Sequence, residues 1–270
     1  MRIFVGVIIL FISSLLYAQN ELDTEFQEYI SDFRNFDMQK LANKEFKHSL
    51  ARLSIKDLPS YRRDTCFVIV KRDLDFGVSE SIYRVVLNYA AEDNSLRQNN
   101  YRLHVLEYND SIISIISDNK YLRKTDTYFA EDKIKWYIDQ HDSFYQTLTD
   151  KDDLVEELTE NRIYGYQCGN APVIRDVPEK YGYKFNESKH LPVFRKWLRS
   201  YNPELQTYGV DAINTVNKLP RLTLSERDKR KSADDLKLIR HIKERNSIIN
   251  TCSGSFVGIY ERAFINSEPD

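Results

Sequence analysis

The sequence predicts an α+β protein: N-terminal helices, an antiparallel meander of four or five strands, then a helical C-terminal region. Three observations predict it. Apolar residues recur at three- and four-residue spacing towards both ends of the chain, but alternate or run together between about residues 65 and 130. The pair Asn109-Asp110 separates two apolar runs and suits the positive φ angles of a tight hairpin turn. Gly and Pro number only 8 and 7 in 270 residues, which argues against a linker-rich or collagen-like chain.

The first residues have the layout of a secretory signal peptide. Arg2 supplies a positive charge, Ile3 to Leu16 are apolar apart from Gly6, Ser13 and Ser14, and Ala18 precedes Gln19-Asn20-Glu21. A membrane-spanning helix needs about 20 apolar residues, and this run is shorter. The expectation is cleavage after Ala18, no stable membrane insertion, and a mature protein exported to the periplasm or the cell exterior. No Cys follows the run, so lipid attachment is not expected. Residues 1–18 are thus the signal peptide, 19–147 the α+β region with the sheet, and 148–270 the helical region, which can pack with the former as one domain.

Loss of the leader removes Arg2 and leaves 38 basic against 41 acidic residues. A nearly neutral chain has no general pull towards nucleic acid or anionic membranes, and an exported one meets little nucleic acid. The segment Arg221 to Arg245 is rich in charge, but Arg227-Asp228-Lys229-Arg230-Lys231 mixes signs in the manner of a solvated helix.

The elements follow in order. Phe26, Tyr29, Ile30 and Phe33 mark an amphipathic helix from Glu21 to about Asp37, and Leu41, Phe46, Leu50 and Leu53 a second from Gln39 to Lys56. Thr65 to Lys71 is a continuous apolar run, fit for a central strand. Ser81 to Tyr89 alternates, and Tyr101–Tyr108 with Ser111–Ser117 form the hairpin about Asn109-Asp110. Thr125 to Ala130 adds a further strand. Ile134, Tyr137, Ile138, His141 and Tyr145 then fall on one helical stripe. Asp150 caps a helix expected to run through Arg162 to the stop at Gly165. Residues 165–187 are irregular, and Ser188 caps a helix with Leu191, Phe194, Trp197 and Leu198. Asn202-Pro203-Glu204 is a strong helix start: a capping amide, proline in the first turn, and an acid facing the helix dipole. Ser232 with Asp235 starts the last long helix, bearing Leu236, Ile239, Ile242 and extending towards Ile249.

The stretch Asn202-Pro203-Glu204-Leu205, Gly209-Val210, Ala212-Ile213 and Val216 resembles the second helix of a HEAT-type repeat, with Phe194 to Arg199 as the helix before it. The likeness covers about residues 191–217. Gln206 stands where the family usually has Arg, and Gly209 where it has Ala. The resemblance implies a helical-hairpin packing mode and a tendency towards protein interaction. It implies no chemistry.

The candidate sites are few. Three cysteines, Cys66, Cys168 and Cys252, are an odd number for an oxidising compartment. Cys168 and Cys252 lie in similar Gly-containing turns and are expected to pair, leaving Cys66 as a small core residue. Tyr164-Gly165-Tyr166 and Tyr181-Gly182-Tyr183 bracket the irregular segment, and these four tyrosines are the ligand-contact candidates. Tyrosine offers broad amphipathic contact at low entropic cost. Their competing reading is core cover, with Gly165 as a helix stop. The five histidines, His48, His104, His141, His190 and His241, show no metal-ligand spacing, and no metal or cofactor is expected. Asp152-Asp153 and Glu156-Glu157 read as a solvated helix face. Gly-x-Ser-x-Gly, phosphate-loop and dinucleotide motifs are all lacking. The expected function is a non-enzymatic protein- or glycan-binding envelope protein. The alternative is an exported hydrolase whose His and carboxylate groups meet only in the fold, marked by a pocket collecting His141 or His190. A structural envelope component would have neither pocket nor exposed aromatic surface.

Overall fold

The computed structural model describes residues 65–90, 96–119, 123–165, 167–168, 173–174, 188–218, 226–253 and 256–264. The expected signal peptide, the two expected N-terminal helices, Tyr166, Tyr181 and Tyr183 lie outside the described residues. The fold is α+β, as the periodicities predict.

Five strands, β1 (Thr65–Asp73), β2 (Ser79–Ala90), β3 (Leu96–Tyr108), β4 (Ser111–Asn119) and β5 (Lys124–Phe129), form one antiparallel sheet in the order β1-β2-β3-β4-β5. Asn109 and Asp110 have φ of 47° and 56° and close the β3–β4 hairpin, the left-handed turn that their short polar side chains tolerate. One expectation fails here. Among the described strands Thr65–Lys71 is not central: β1 lies at the sheet edge, and Phe67 and Val68 are exposed while Val70 and Arg72 are buried. An unbroken apolar run does not distinguish the two positions.

Five helices are described: α1 (Glu131–Tyr145), α2 (Lys151–Thr159), α3 (Leu191–Leu198), α4 (Pro203–Asn217) and α5 (Glu226–Arg245). The buried residues of α1 are Ile134, Tyr137, Ile138, His141 and Tyr145, the whole predicted stripe. Gln146, at φ 55°, ends that helix. Asp150 opens α2 with a reciprocal capping box to Asp153. However, α2 stops at Thr159, short of Arg162. The Asn202 amide donates to the carbonyls of Glu157 and Glu160 at 3.0 and 3.3 Å, giving the helix end a side-chain partner. The chain then extends, and Tyr164 forms a parallel bridge with Thr251.

Ser188 begins a 3-10 turn (Ser188–His190), and α3 starts after it without a side-chain cap. Asn202 caps α4 through the Leu205 amide at 3.0 Å, with Pro203 in the first turn, as predicted. Helix α5 begins six residues earlier than Ser232; Leu236 is half-exposed, and Leu238, Ile239 and Ile242 form the buried stripe. Asn246, at φ 46°, ends it. Ile249 therefore belongs to a strand. Two small antiparallel hairpins interrupt the region expected to be mainly helical: β6 (Gln167–Cys168) with β7 (Val173–Ile174), and β8 (Ile248–Ser253) with β9 (Phe256–Arg262). Cys168 and Cys252 thus sit on strands, where turns were expected. Gly258, at φ 80°, is the extra residue of a bulge opposite Thr251 and Cys252.

Two compact units divide the chain. One takes residues 1–68, 84–102 and 117–128; within it Arg84 donates to Asn100 on the sheet surface at 3.2 Å. The other takes residues 69–83, 103–116 and 129–270 and contains two apolar clusters. In the first cluster, Leu106, Ile113 and Ile116 of the strands pack on Ile134, Tyr137 and Leu154 of α1 and α2. In the second, Phe194, Leu198, Tyr208, Ile213, Leu238 and Ile242 join α3, α4 and α5. A Cβ on Gly209 would lie 2.8 Å from the Leu198 backbone nitrogen, so α3 and α4 approach closely because position 209 has no side chain. Phe76 touches both clusters from the β1–β2 turn, where it holds a left-handed conformation (φ 60°).

Candidate functional site

Two groups of charged residues occupy the larger unit. One is sealed in its interior and the other lines an open cleft.

The sealed group starts at Arg72, whose place in alternating β1 turns it inward. Its guanidinium donates to Glu80 on β2 at 2.6 Å and to Glu204 in the first turn of α4 at 2.7 Å. The other Glu80 oxygen meets His104 Nδ1 at 2.6 Å, and Glu204 also accepts from the Asn250 backbone at 2.7 Å. All three ionised side chains are at most 3% exposed. Burial works against the Arg72 charge, but Glu204 and Glu80 outweigh it and raise its pKa. Burial likewise works against a charged Glu80, yet Arg72 and His104 draw its pKa down to about 2. A neighbouring cluster is built on Asp75. One carboxylate oxygen accepts from His241 at 2.8 Å and lies 2.6 Å from an Arg245 guanidinium nitrogen; the other accepts from Tyr145 at 2.8 Å. Gln206 donates to the Tyr145 hydroxyl and accepts from Arg245. Against the cost of burial, Arg245, His241 and Tyr145 hold Asp75 well below the usual carboxylate range. Each carboxylate has its counter-charge, and these groups tie β1, α4, α5 and β8 together.

The open group lies where the α1–α2 loop, α2, α3 and α5 meet. Asp142 pins the loop by accepting from the Thr147 hydroxyl (2.7 Å) and from both the amide and the hydroxyl of Thr149 (2.9 and 2.8 Å). Leu148, between these two threonines, is 96% exposed. Beside the loop is a cleft of about 490 Å³ whose charged lining is Glu157, Arg195, Lys196, Arg199, Asp234 and Asp235. Three cations face three carboxylates. Arg195 donates to Asp235 Oδ2 at 2.7 Å. Arg199 is fixed by the carbonyls of Tyr145 and Arg195, at 2.9 and 2.8 Å. Its Nη1 stands 4.0 Å from Asp235 Oδ1, beyond hydrogen-bond reach. That oxygen is buried and has no hydrogen-bond partner among the described residues, although the Asp235 side chain is only 1% exposed. Glu157 accepts from the Ser200 hydroxyl at 2.7 Å and the Tyr201 amide at 2.6 Å.

The electrostatics of the cleft are the reverse of those inside. Burial raises the pKa values of Glu157 and Asp235 and the surrounding donors only partly offset it; burial also lowers that of Arg199. All three are short of compensating partners. Glu157, Pro192 and Lys196 also border a second cleft of about 490 Å³, where Asp153 and Glu156 rim a floor of Val193, Trp197 and Leu205.

Of the sequence-level candidates, Tyr164 is half-buried; its hydroxyl donates to Asp211 and its ring packs 4.8 Å from that of Tyr208. It serves the core. His141 is fully buried and stacks 3.8 Å from Tyr201, burial lowering its pKa to about 4. Neither His141 nor His190 is among the described residues lining the two clefts. Of the flagged acids, Glu157 is half-buried in the first cleft, while Asp153 and Glu156 are exposed at the second. Cys252 is half-buried on β8, and the β6 strand carrying Cys168 lies against β8. Sequence reasoning missed Arg72, Glu80, Arg195 and Arg199 altogether. The i, i+4 pair Arg195 and Arg199, with Lys196 between them on a short, largely apolar helix, was the available signal.

Among the described residues no group of three or more His, Cys, Asp or Glu is placed to hold a metal ion, and no helix is long and apolar enough to cross a membrane. The chain matches no family of proteins, no curated protein and no solved structure.

Proposed function

We propose that this chain is an exported protein that binds another protein or a glycan without transforming it, and that it binds at the cleft beside Leu148. The observation that carries this reading is the under-bonded Asp235–Arg199 pair in an open cleft, while Glu80, Glu204 and Asp75 of the sealed group all have partners. Perturbed charges in a cleft mark functional sites. The described lining offers threonine hydroxyls but no Cys and no His to activate a nucleophile. The hydrolase alternative draws no support from His141, which is sealed in the core. The HEAT-like pattern in α3 and α4 supports a partner-binding role.

Export is part of the proposal. The approach of β6 to β8 supports the expected Cys168–Cys252 bridge, which needs its Cα atoms within about 7 Å of each other. Mass spectrometry of the non-reduced mature protein is expected to find that cross-linked peptide and an N-terminus at Gln19. Free thiols at both sites, or an intact leader on a cytoplasmic protein, would contradict export. Thermal-shift titration against peptides and oligosaccharides tests the binding role. Stabilisation by one class, reduced in Lys196→Gln, is expected; steady turnover of a peptide, ester or glycoside by the pure protein would refute it.

A further inference from the structure

Resting on the binding role just proposed, we infer that the cleft takes the carboxy-terminal residue of a peptide, with its carboxylate on Arg199 and Lys196 and its own N–H on Asp235. Four features favour this over a glycan. Asp235 Oδ1 is a charged acceptor, buried without a hydrogen bond, and so calls for a donor. Arg199, 4.0 Å away, and the exposed Lys196 call for an anion. In a chain terminus the amide N–H and the carboxylate are borne on one α-carbon, so a single residue supplies both at adjacent positions. The described lining has no aromatic ring for a sugar to stack on, and the exposed Leu148 stands between Thr147 and Thr149 of the lining, on a loop that Asp142 holds in place.

The ligand's N–H reaches Asp235 as the outer nitrogens of Arg199 turn from that oxygen towards the carboxylate. Arg199 keeps its Nε bond to the Tyr145 carbonyl, while its Nη1 exchanges the Arg195 carbonyl, 2.8 Å away, for the ligand carboxylate. Arg195 stays on Asp235 Oδ2 and holds the acid in place. With three cations and three acids in the lining, an entering carboxylate leaves one net negative charge, held against Arg199 and the exposed Lys196. The bland competitor is a single water bridging the 4.0 Å gap.

The test uses the mature full-length protein and three probes: N-acetyl-alanyl-leucine, the same dipeptide as its C-terminal amide, and an uncharged chito-oligosaccharide. Binding is followed by calorimetry and by NMR shifts at Arg199 and Lys196. The acid is expected to bind and to move these resonances, and the amide to bind about tenfold more weakly, the worth of one charge-assisted hydrogen bond. Lys196→Gln is expected to weaken the acid several-fold while leaving the amide unchanged. Because Asp235→Asn puts the Arg195 pair at risk, Lys196→Gln, an exposed substitution, keeps the test independent of folding. Equal binding of acid and amide overturns the inference. Binding of the oligosaccharide alone at the same resonances overturns it but leaves a binding protein. No shift with any probe leaves a bridging water only, and overturns both readings of the cleft.

Discussion

Arg72 with Glu80 and Glu204, and Arg195 and Arg199 with Asp235, are chemically the same: guanidinium against carboxylate on the larger unit. They differ in how fully the groups are bonded. Inside, both carboxylates bond Arg72 at 2.6–2.7 Å and take further donors from His104 and the Asn250 backbone. In the cleft, one Asp235 oxygen has its arginine and the other faces a second arginine it does not touch. Burial of charge is tolerated where each charge is paired and further hydrogen-bonded. The incomplete arrangement stands beside solvent, where a ligand can complete it. Charge density alone would have ranked the two alike.

The largest expected effect breaks the closed side. Glu204→Ala leaves Arg72 with one carboxylate and strips the Asn250 amide of its acceptor, a loss of about 3–5 kcal/mol by urea or guanidinium denaturation. Glu204→Gln keeps an acceptor for Asn250 and is expected to cost less. If both substitutions change stability by less than about 1 kcal/mol, the network does not hold β1 to α4.

Acid separates the two regions by sign. Asp75 and Glu80 have folded pKa values below their ordinary ones, so they stabilise fully above about pH 4.5 and lose that contribution as pH falls towards 2. Glu157 and Asp235 are shifted upward, so their protonation on acidification favours the fold. His141 acts earlier. Its pKa falls from 6.5 to about 4 on folding, so its contribution is whole above pH 6.5 and drains away between there and pH 4, by roughly 3 kcal/mol. Its ring nitrogens have no hydrogen-bond partners among the described residues, and the ring stacks on Tyr201. His141→Phe is therefore expected to keep the stacking and to flatten stability between pH 6.5 and 4. An unchanged slope would show that another group titrates there.

Part of this contrast was legible in the sequence. Local rules found the Asn109-Asp110 turn, the five-residue stripe of α1 and the Asn202-Pro203 start of α4, because each is decided within a few residues of backbone. Glu204 was recognised only as an acid facing a helix dipole. Its partners are 132 residues back and 46 residues ahead, and no local period encodes them. The same holds for the end of α2, set by Asn202 from more than 40 residues away, and for the edge position of β1. The cleft escaped notice because its charges come from three helices far apart in sequence.

A smaller effect probes the close helix pair under the cleft. In Gly209→Ala the new methyl would meet the Leu198 backbone at 2.8 Å. Parting α3 from α4 costs about 1–3 kcal/mol, offset by about 1 kcal/mol of improved helix propensity. A net loss of about 1 kcal/mol is expected in thermal unfolding. A gain would mean that the two helices part without cost, and that Gly209 does not set the position of Arg195 and Arg199.

The smallest expected effect is the one that sharpens the comparison most. Lys196 is exposed and borders both clefts, so Lys196→Gln should change unfolding free energy by no more than about 0.5 kcal/mol. Glu157→Gln keeps an oxygen for Ser200 and the Tyr201 amide while removing a charge that burial penalises, so it should be neutral or slightly stabilising. A closed network cannot lose a charge on those terms; an open site can, because its charges are not yet matched. If denaturation finds either variant destabilised by 2 kcal/mol or more, roughly the lower range for breaking a satisfied charged contact, then the cleft is held together by its charges as the interior is, and the distinction between the two regions fails.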